Sequence, residues 1–164
     1  MAKGKSNFFE VNSHKASVRV TVNSIMMGGL FLILSLIWTG GSGKFNVFII
    51  SQLILAVPLL YVSALAYLKI GYSEKVIMWD TLGWFTSSIG GILILNAIGL
   101  MTVPIDATVT FLYFFLLIAL MLIYSLINII YNPHETAEKL FKFFFFLVVV
   151  AAGGLLPLLL GLVH

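Results

Sequence analysis

The sequence predicts an all-α integral membrane protein, a bundle of five transmembrane helices with a short cytoplasmic surface helix before the last. Three observations carry this. Of 164 residues, 61% are hydrophobic and only 9% charged, against about 25% charged in soluble domains. A chain of this length cannot bury so much apolar surface in one globule. Lastly, its charges fall at intervals that leave stretches of membrane-spanning length between them.

No charged side chain lies between Arg19 and Lys44, or between Lys44 and Lys69. Further apolar stretches run from Thr81 to Ile105, from Ala107 to Tyr131 and from Phe143 to Val163. About 20 apolar residues cross a hydrocarbon core of roughly 30 Å as a helix. Long continuous runs favour helix over barrel strands, which alternate over about ten residues. The spans are placed at 22–41, 45–68, 78–101, 108–131 and 142–163, after a cytoplasmic tail over 1–21. Residues 22–164 then form one membrane domain.

Between the spans, Gly40-Gly41-Ser42-Gly43 reads as a turn, as do Gly71-Tyr72-Ser73-Glu74 and Val103-Pro104-Ile105-Asp106. Asn132-Pro133 has the form of a helix start, the asparagine capping and the proline at the first helical position. His134 to Lys142 would then be the surface helix. The first span lacks a small-residue cleavage site and is too long for a signal-peptide core, so it reads as an uncleaved anchor.

Orientation follows from the basic residues. With five crossings and the N-terminus inside, Lys3, Lys5, Lys15, Arg19, Lys69, Lys75, Lys139 and Lys142 share the cytoplasmic side, and only Lys44 lies outside. That asymmetry sets topology. It predicts a multi-pass protein of the cell membrane with its N-terminus cytoplasmic and its C-terminus outside. Trp38, Tyr67, Tyr72, Trp79 and Tyr131 fall at span edges, where interfacial rings are favoured.

Polar residues inside spans are the candidates for function, because burying them in lipid is costly. Asp80 heads the third span, on the same face as the small residues Gly83, Ser87 and Gly91, which recur every four residues and let a neighbouring backbone come close. An anion at a helix N-terminus also has a purely structural reading. Asn96 lies deeper, on roughly the opposite face, which places the third helix centrally. Tyr113, Tyr124, Asn128 and Tyr131 form a stripe on the fourth span, and Gln52 and Ser63 are single polar groups on the second. These groups either line a polar path or hydrogen-bond neighbouring helices. Pro58 and the Gly153-Gly154-x-x-Pro157 sequence are candidate hinges, or else static kinks.

Other chemistry is excluded. The absence of cysteine removes disulfides and thiolate metal sites. His14, His134 and His164 lie outside the spans, so paired haem ligation is out. No metal site and no cofactor are expected; His134, Glu135 and Glu138 lack a second ligand histidine. No nucleophile elbow, P-loop or paired-carboxylate arrangement occurs. No basic cluster on a folded face suggests nucleic acid.

Two functions remain. One is an oligomeric channel or transporter component moving a small ion or solute, with Asp80, Asn96, Gln52, Tyr124 and Asn128 as binding candidates. The other is a non-catalytic structural subunit of a larger membrane complex. An enzyme acting on lipid has only Asp80 in its favour. The expected partners are the lipid bilayer and either copies of the chain or other membrane subunits.

Overall fold

The computed structural model describes residues 13–40, 45–70, 76–131 and 133–163. The turn residues Gly41 to Gly43, Lys44, the Gly71–Glu74 link, Lys75, the Asn132 cap and His164 lie outside the described residues, as do residues 1–12.

Five helices are long and apolar enough to cross a membrane. They are α1 (Ser13–Gly40), α2 (Val47–Ile70), α3 (Val76–Leu100), α4 (Ala107–Tyr131) and α5 (Thr136–Val150), the last continued by a π-helical turn (Ala151–Leu155) and α6 (Leu156–Leu159). No strand occurs among the described residues. Helix α1 begins at Ser13, well before the predicted span start at 22.

The expected surface helix over 134–142 is not a separate element. Pro133–Glu135 makes a single 3₁₀ turn and Thr136 starts α5 directly, so the fifth long helix begins before residue 142. Nothing between Thr136 and Val150 can break a helix, since that stretch has neither Gly nor Pro. The Thr136 hydroxyl bonds the Pro133 carbonyl at 2.6 Å, and Lys142 pairs with Glu138 one turn before it. Both contacts hold the entrance of the helix as one piece.

Helix starts follow local capping chemistry. Asn46 accepts from the Phe48 amide at 2.8 Å, and Asp106 from the Thr108 amide at 2.7 Å, each satisfying a donor that its helix leaves unpaired. Gly161 closes the last turn at φ 64°, a conformation in which a Cβ is disfavoured.

The α2–α3 pair is the backbone of the bundle. Along α2 the buried residues Ile49, Leu53, Ala56, Leu60, Ser63, Tyr67 and Ile70 alternate steps of four and three, a seam that stays turned toward its partners. Helix α1 packs on α2, while α3 touches every other long helix. The central core joins Leu30, Leu53, Leu60, Ile92, Leu100, Phe114 and Val150 from all five. Helix α4 is largely exposed, with only Thr110, Phe114 and Ser125 buried.

Candidate functional site

The polar residues of the five long helices gather into three groups, each bridging different helices. The first lies where α1, α2 and α3 meet. Arg19 on α1 pairs with Asp80 on α3 at 2.5 Å, and the same guanidinium nitrogen donates to the Tyr67 hydroxyl at 3.3 Å. One turn further along α1, Asn23 donates to Ser63 at 2.8 Å and accepts from Ser87 at 2.8 Å, while Ser63 donates to the Gly83 carbonyl at 2.7 Å. Asp80 and Ser87 therefore do share a side, and it faces α1. The carboxylate is already compensated by a cation from its own chain.

The small residues of α3 serve two neighbours. A Cβ on Gly83 would come within 2.9 Å of the Tyr67 ring on α2, while one on Gly91 would meet the Met26 methyl of α1 at 3.0 Å. Gly90, between them, lies against Leu59 and Leu60. The two seams meet along α3, which lets α1 and α2 both approach it closely.

The second group lies deep in the bundle, where α2, α3 and the π turn meet. Pro157 has no N–H, so the Gly153 carbonyl four residues before it loses its ordinary helical partner. The Gln52 side chain from α2 takes that place, donating to Gly153 O at 2.8 Å. Asn96 donates to the Val149 carbonyl at 3.2 Å, one turn earlier. Both amides thus spend their N–H groups on the weakened stretch of the last helix. Their own oxygens, Gln52 Oε1 and Asn96 Oδ1, are buried without a hydrogen-bond partner. Each such orphan costs about 1–3 kcal/mol.

Gly153 and Gly154 make this approach possible. A Cβ on Gly153 would sit 2.5 Å from Asn96 Nδ2, and one on Gly154 would run into the Phe114 ring. Prolines, glycine pairs and π turns are each recognised sites of helix distortion, and here all three coincide. Pro58, by contrast, lies on the exposed side of α2, and the helix runs through it unbroken.

The third group is a half-enclosed cavity of about 470 Å³ between α3, α4 and α5, touched by Arg19 of α1. That volume is within the usual range for small-ligand sites. The cavity exists because α4 leans away. Tyr113, near its start, is tucked against α3 and donates to the Leu95 carbonyl at 3.0 Å. Tyr124, on the same stripe three turns later, is 64% exposed and lines the cavity. Phe143, Phe145 and Phe146 of α5 wall the opposite side.

Arg19, Lys139 and Lys142 line the cavity, and among the described residues no carboxylate does, although Asp80 pairs with Arg19 and Glu138 with Lys142 beside it. Lys139 donates to the Asn128 carbonyl at 2.8 Å, and Lys142 lies 5.2 Å above the centre of the Trp84 ring. The Asn128 amide itself bonds back to the Tyr124 carbonyl at 3.0 Å, so it stiffens α4 beside the cavity.

Of the sequence candidates, Tyr124 and Asn128 meet at the cavity, Gln52 and Asn96 meet at the π turn, and Asp80 stands beside the cavity through Arg19. They do not form one continuous path. Sequence reasoning passed over Arg19, Lys139 and Lys142 except as markers of topology, and passed over Asn23 and Trp84 as site residues. Asn23 had a readable signal: it follows Arg19 by one helical turn, so the two share a face. No family model, curated protein or solved structure matches this chain. The class that the fold defines is an all-helical chain with five potential membrane spans.

Proposed function

We propose that this chain is a small membrane carrier, inserted with its N-terminus in the cytoplasm and its C-terminus outside, that takes up an anionic and partly apolar solute from the cytoplasmic side. The observation that carries the reading is the one-sided cavity. It starts at the basic end of the bundle among Arg19, Lys139 and Lys142 and stops at Leu95 and Met121. Beyond it lies the closely packed layer of Asn96, Gln52, Phe114 and the π turn.

A site open to one end and sealed at the other is what alternating access requires of one conformation. Basic side chains supply the attraction for an anion. The seal contains the features that let a helix bend: a proline, two glycines and two unpartnered amide oxygens. Orphaned acceptors make the closed packing less favourable than it could be, which keeps the free-energy cost of opening modest. Asp80 then tunes the site by holding Arg19, in place of binding a transported cation itself.

A second reading, a subunit of a larger complex or a homo-oligomer, draws on α4. More than half of this helix is exposed, including Phe111, Leu112, Phe115, Leu116, Ile123 and Ile127.

The test is flux into liposomes made with the purified chain, comparing a fluorescent aromatic sulfonate with potassium and choline. Protein-dependent entry of the sulfonate is expected, cut at least tenfold by Ser88→Phe, which fills the cavity without touching an ion pair. Sulfonate entry equal to that of protein-free liposomes would overturn the carrier reading. If partner proteins then co-extract at fixed stoichiometry, the subunit reading takes its place.

A further inference from the structure

We propose that the cavity between α3, α4 and α5 is a binding site for one acidic glycerophospholipid of the adjoining leaflet. Its phosphate would sit among the basic residues and an acyl chain would run inward toward Leu95 and Met121. This names the substrate class of the site proposed above and rests on that cavity being the carrier's binding site.

Three lines of geometry agree. The first is depth. On α3 the lining runs from Trp84 to Leu95, a rise of about 16 Å along the helix axis. The hydrocarbon core of a bilayer is roughly 30 Å thick, so the cavity is as deep as one leaflet.

The second is a gradient of polarity that all three helices repeat in the same direction. Helix α5 descends from Lys139 and Lys142 to Phe143 and Phe146. Helix α4, running the other way, goes from Asn128 through Ser125 and Tyr124 to Met121. On α3 the order is Ser87 and Ser88, then Gly91, Ile92 and Leu95. A glycerophospholipid has this order along its own length: an anionic head, ester groups that accept hydrogen bonds, then hydrocarbon. A small hydrophilic anion would leave the apolar floor unmatched, and an uncharged hydrophobe would leave the polar mouth without a partner.

The third is charge. Three cations line one end of the cavity, and the two carboxylates paired with them, Asp80 and Glu138, stand outside its lining among the described residues; basic pockets between helices at one membrane face are a recurring way to hold acidic headgroups. The indole of Trp84, stacked under the Lys142 ammonium, stands where interfacial rings are favoured.

Native mass spectrometry of the full chain, stripped of lipid in mild detergent and then offered dioleoyl-phosphatidylglycerol, dioleoyl-phosphatidylcholine and oleate at equal concentration, tests this. The expected result is one phosphatidylglycerol per chain, retained at least tenfold over phosphatidylcholine and over oleate. Asp80→Asn, which removes a negative charge beside the mouth, should raise that retention. Ser88→Phe should abolish it, and Ser88→Leu, a smaller plug, is read in its place if the first variant does not fold. Equal retention of the two phospholipids would overturn the headgroup assignment. Preferential retention of oleate would make the occupant a free fatty acid, and binding undiminished by the plug would place the lipid elsewhere; either overturns the proposal. Phosphatidylglycerol bound as expected in a protein with no flux supports the lipid site and sinks only the carrier reading. Sulfonate flux without phosphatidylglycerol binding does the reverse.

Discussion

The two polar regions of this bundle, the cavity and the amide layer around the π turn, solve opposite problems. In the cavity, cations and polar side chains border open space. In the amide layer the contacts are close, and each polar atom must find its partner in the protein. Gln52 and Asn96 each succeed with one end and fail with the other. Polarity on a long apolar helix therefore carries no single meaning. What decides it is whether the neighbouring helix stands close, as α2 does to α3, or leans away, as α4 does.

The sharpest break of this comparison is steric. Gly154→Leu would force a side chain into the Phe114 ring. It should cost about 3 kcal/mol or more, at the upper end of overpacking effects. Thermal unfolding in detergent would show it, and a variant as stable as the parent would mean that the layer is loosely packed.

A subtler test uses the link between Gln52 and Pro157. Gln52→Met should destabilise by about 1 kcal/mol, because the Gly153 carbonyl loses its donor. Pro157→Ala restores a backbone N–H four residues from that carbonyl and should return the π turn to ordinary helix. Combined with Pro157→Ala, the Gln52→Met change should then be neutral or stabilising, since it also removes an orphaned oxygen. A double-mutant cycle reads the coupling directly. Independent effects would show that Gln52 does not stand in for the proline's missing donor.

At the basic end, effects shrink. The Arg19 side chain is 40% exposed and that of Asp80 14% exposed, so solvent screens their attraction. Asp80→Asn should cost at most about 1 kcal/mol, measured by the same unfolding assay. Smallest of all, Ser88→Phe should change stability by less than about 0.5 kcal/mol, because the ring enters open space. A large loss there would show that the cavity is already filled by protein.

Much of this architecture was legible in the sequence. The charge spacing located all five helices, since a charge is tolerated only near the ends of a span. The fifth boundary was misplaced because Asn132-Pro133 signals a start without saying how long the element runs. Distinguishing a surface helix from the head of a span needed the bundle around it. Asn96 and Gln52 were recognisable as costly residues, yet their meeting at Gly153 was not, because they lie on different helices and their common target is a backbone carbonyl. The cavity was still less legible. It depends on the tilt of α4, and Tyr113 and Tyr124 look alike in a helical projection while one is packed and the other open. The basic residues that line it had been explained by topology, and one sufficient explanation hid the other.

The Asn46 cap has a consequence for the order in which this protein is completed. Its side-chain oxygen caps α2, while its nitrogen donates to the Leu162 carbonyl at 2.9 Å, across 116 positions of sequence. The first bond can form as soon as α2 is synthesised. The second must wait until residue 162 has left the ribosome, long after α2 has been made. Asn46 thus acts as a latch between an early helix and a segment made much later. The junction beside α2 stays unfastened throughout the synthesis of α3, α4 and α5, and those helices can be arranged before it closes.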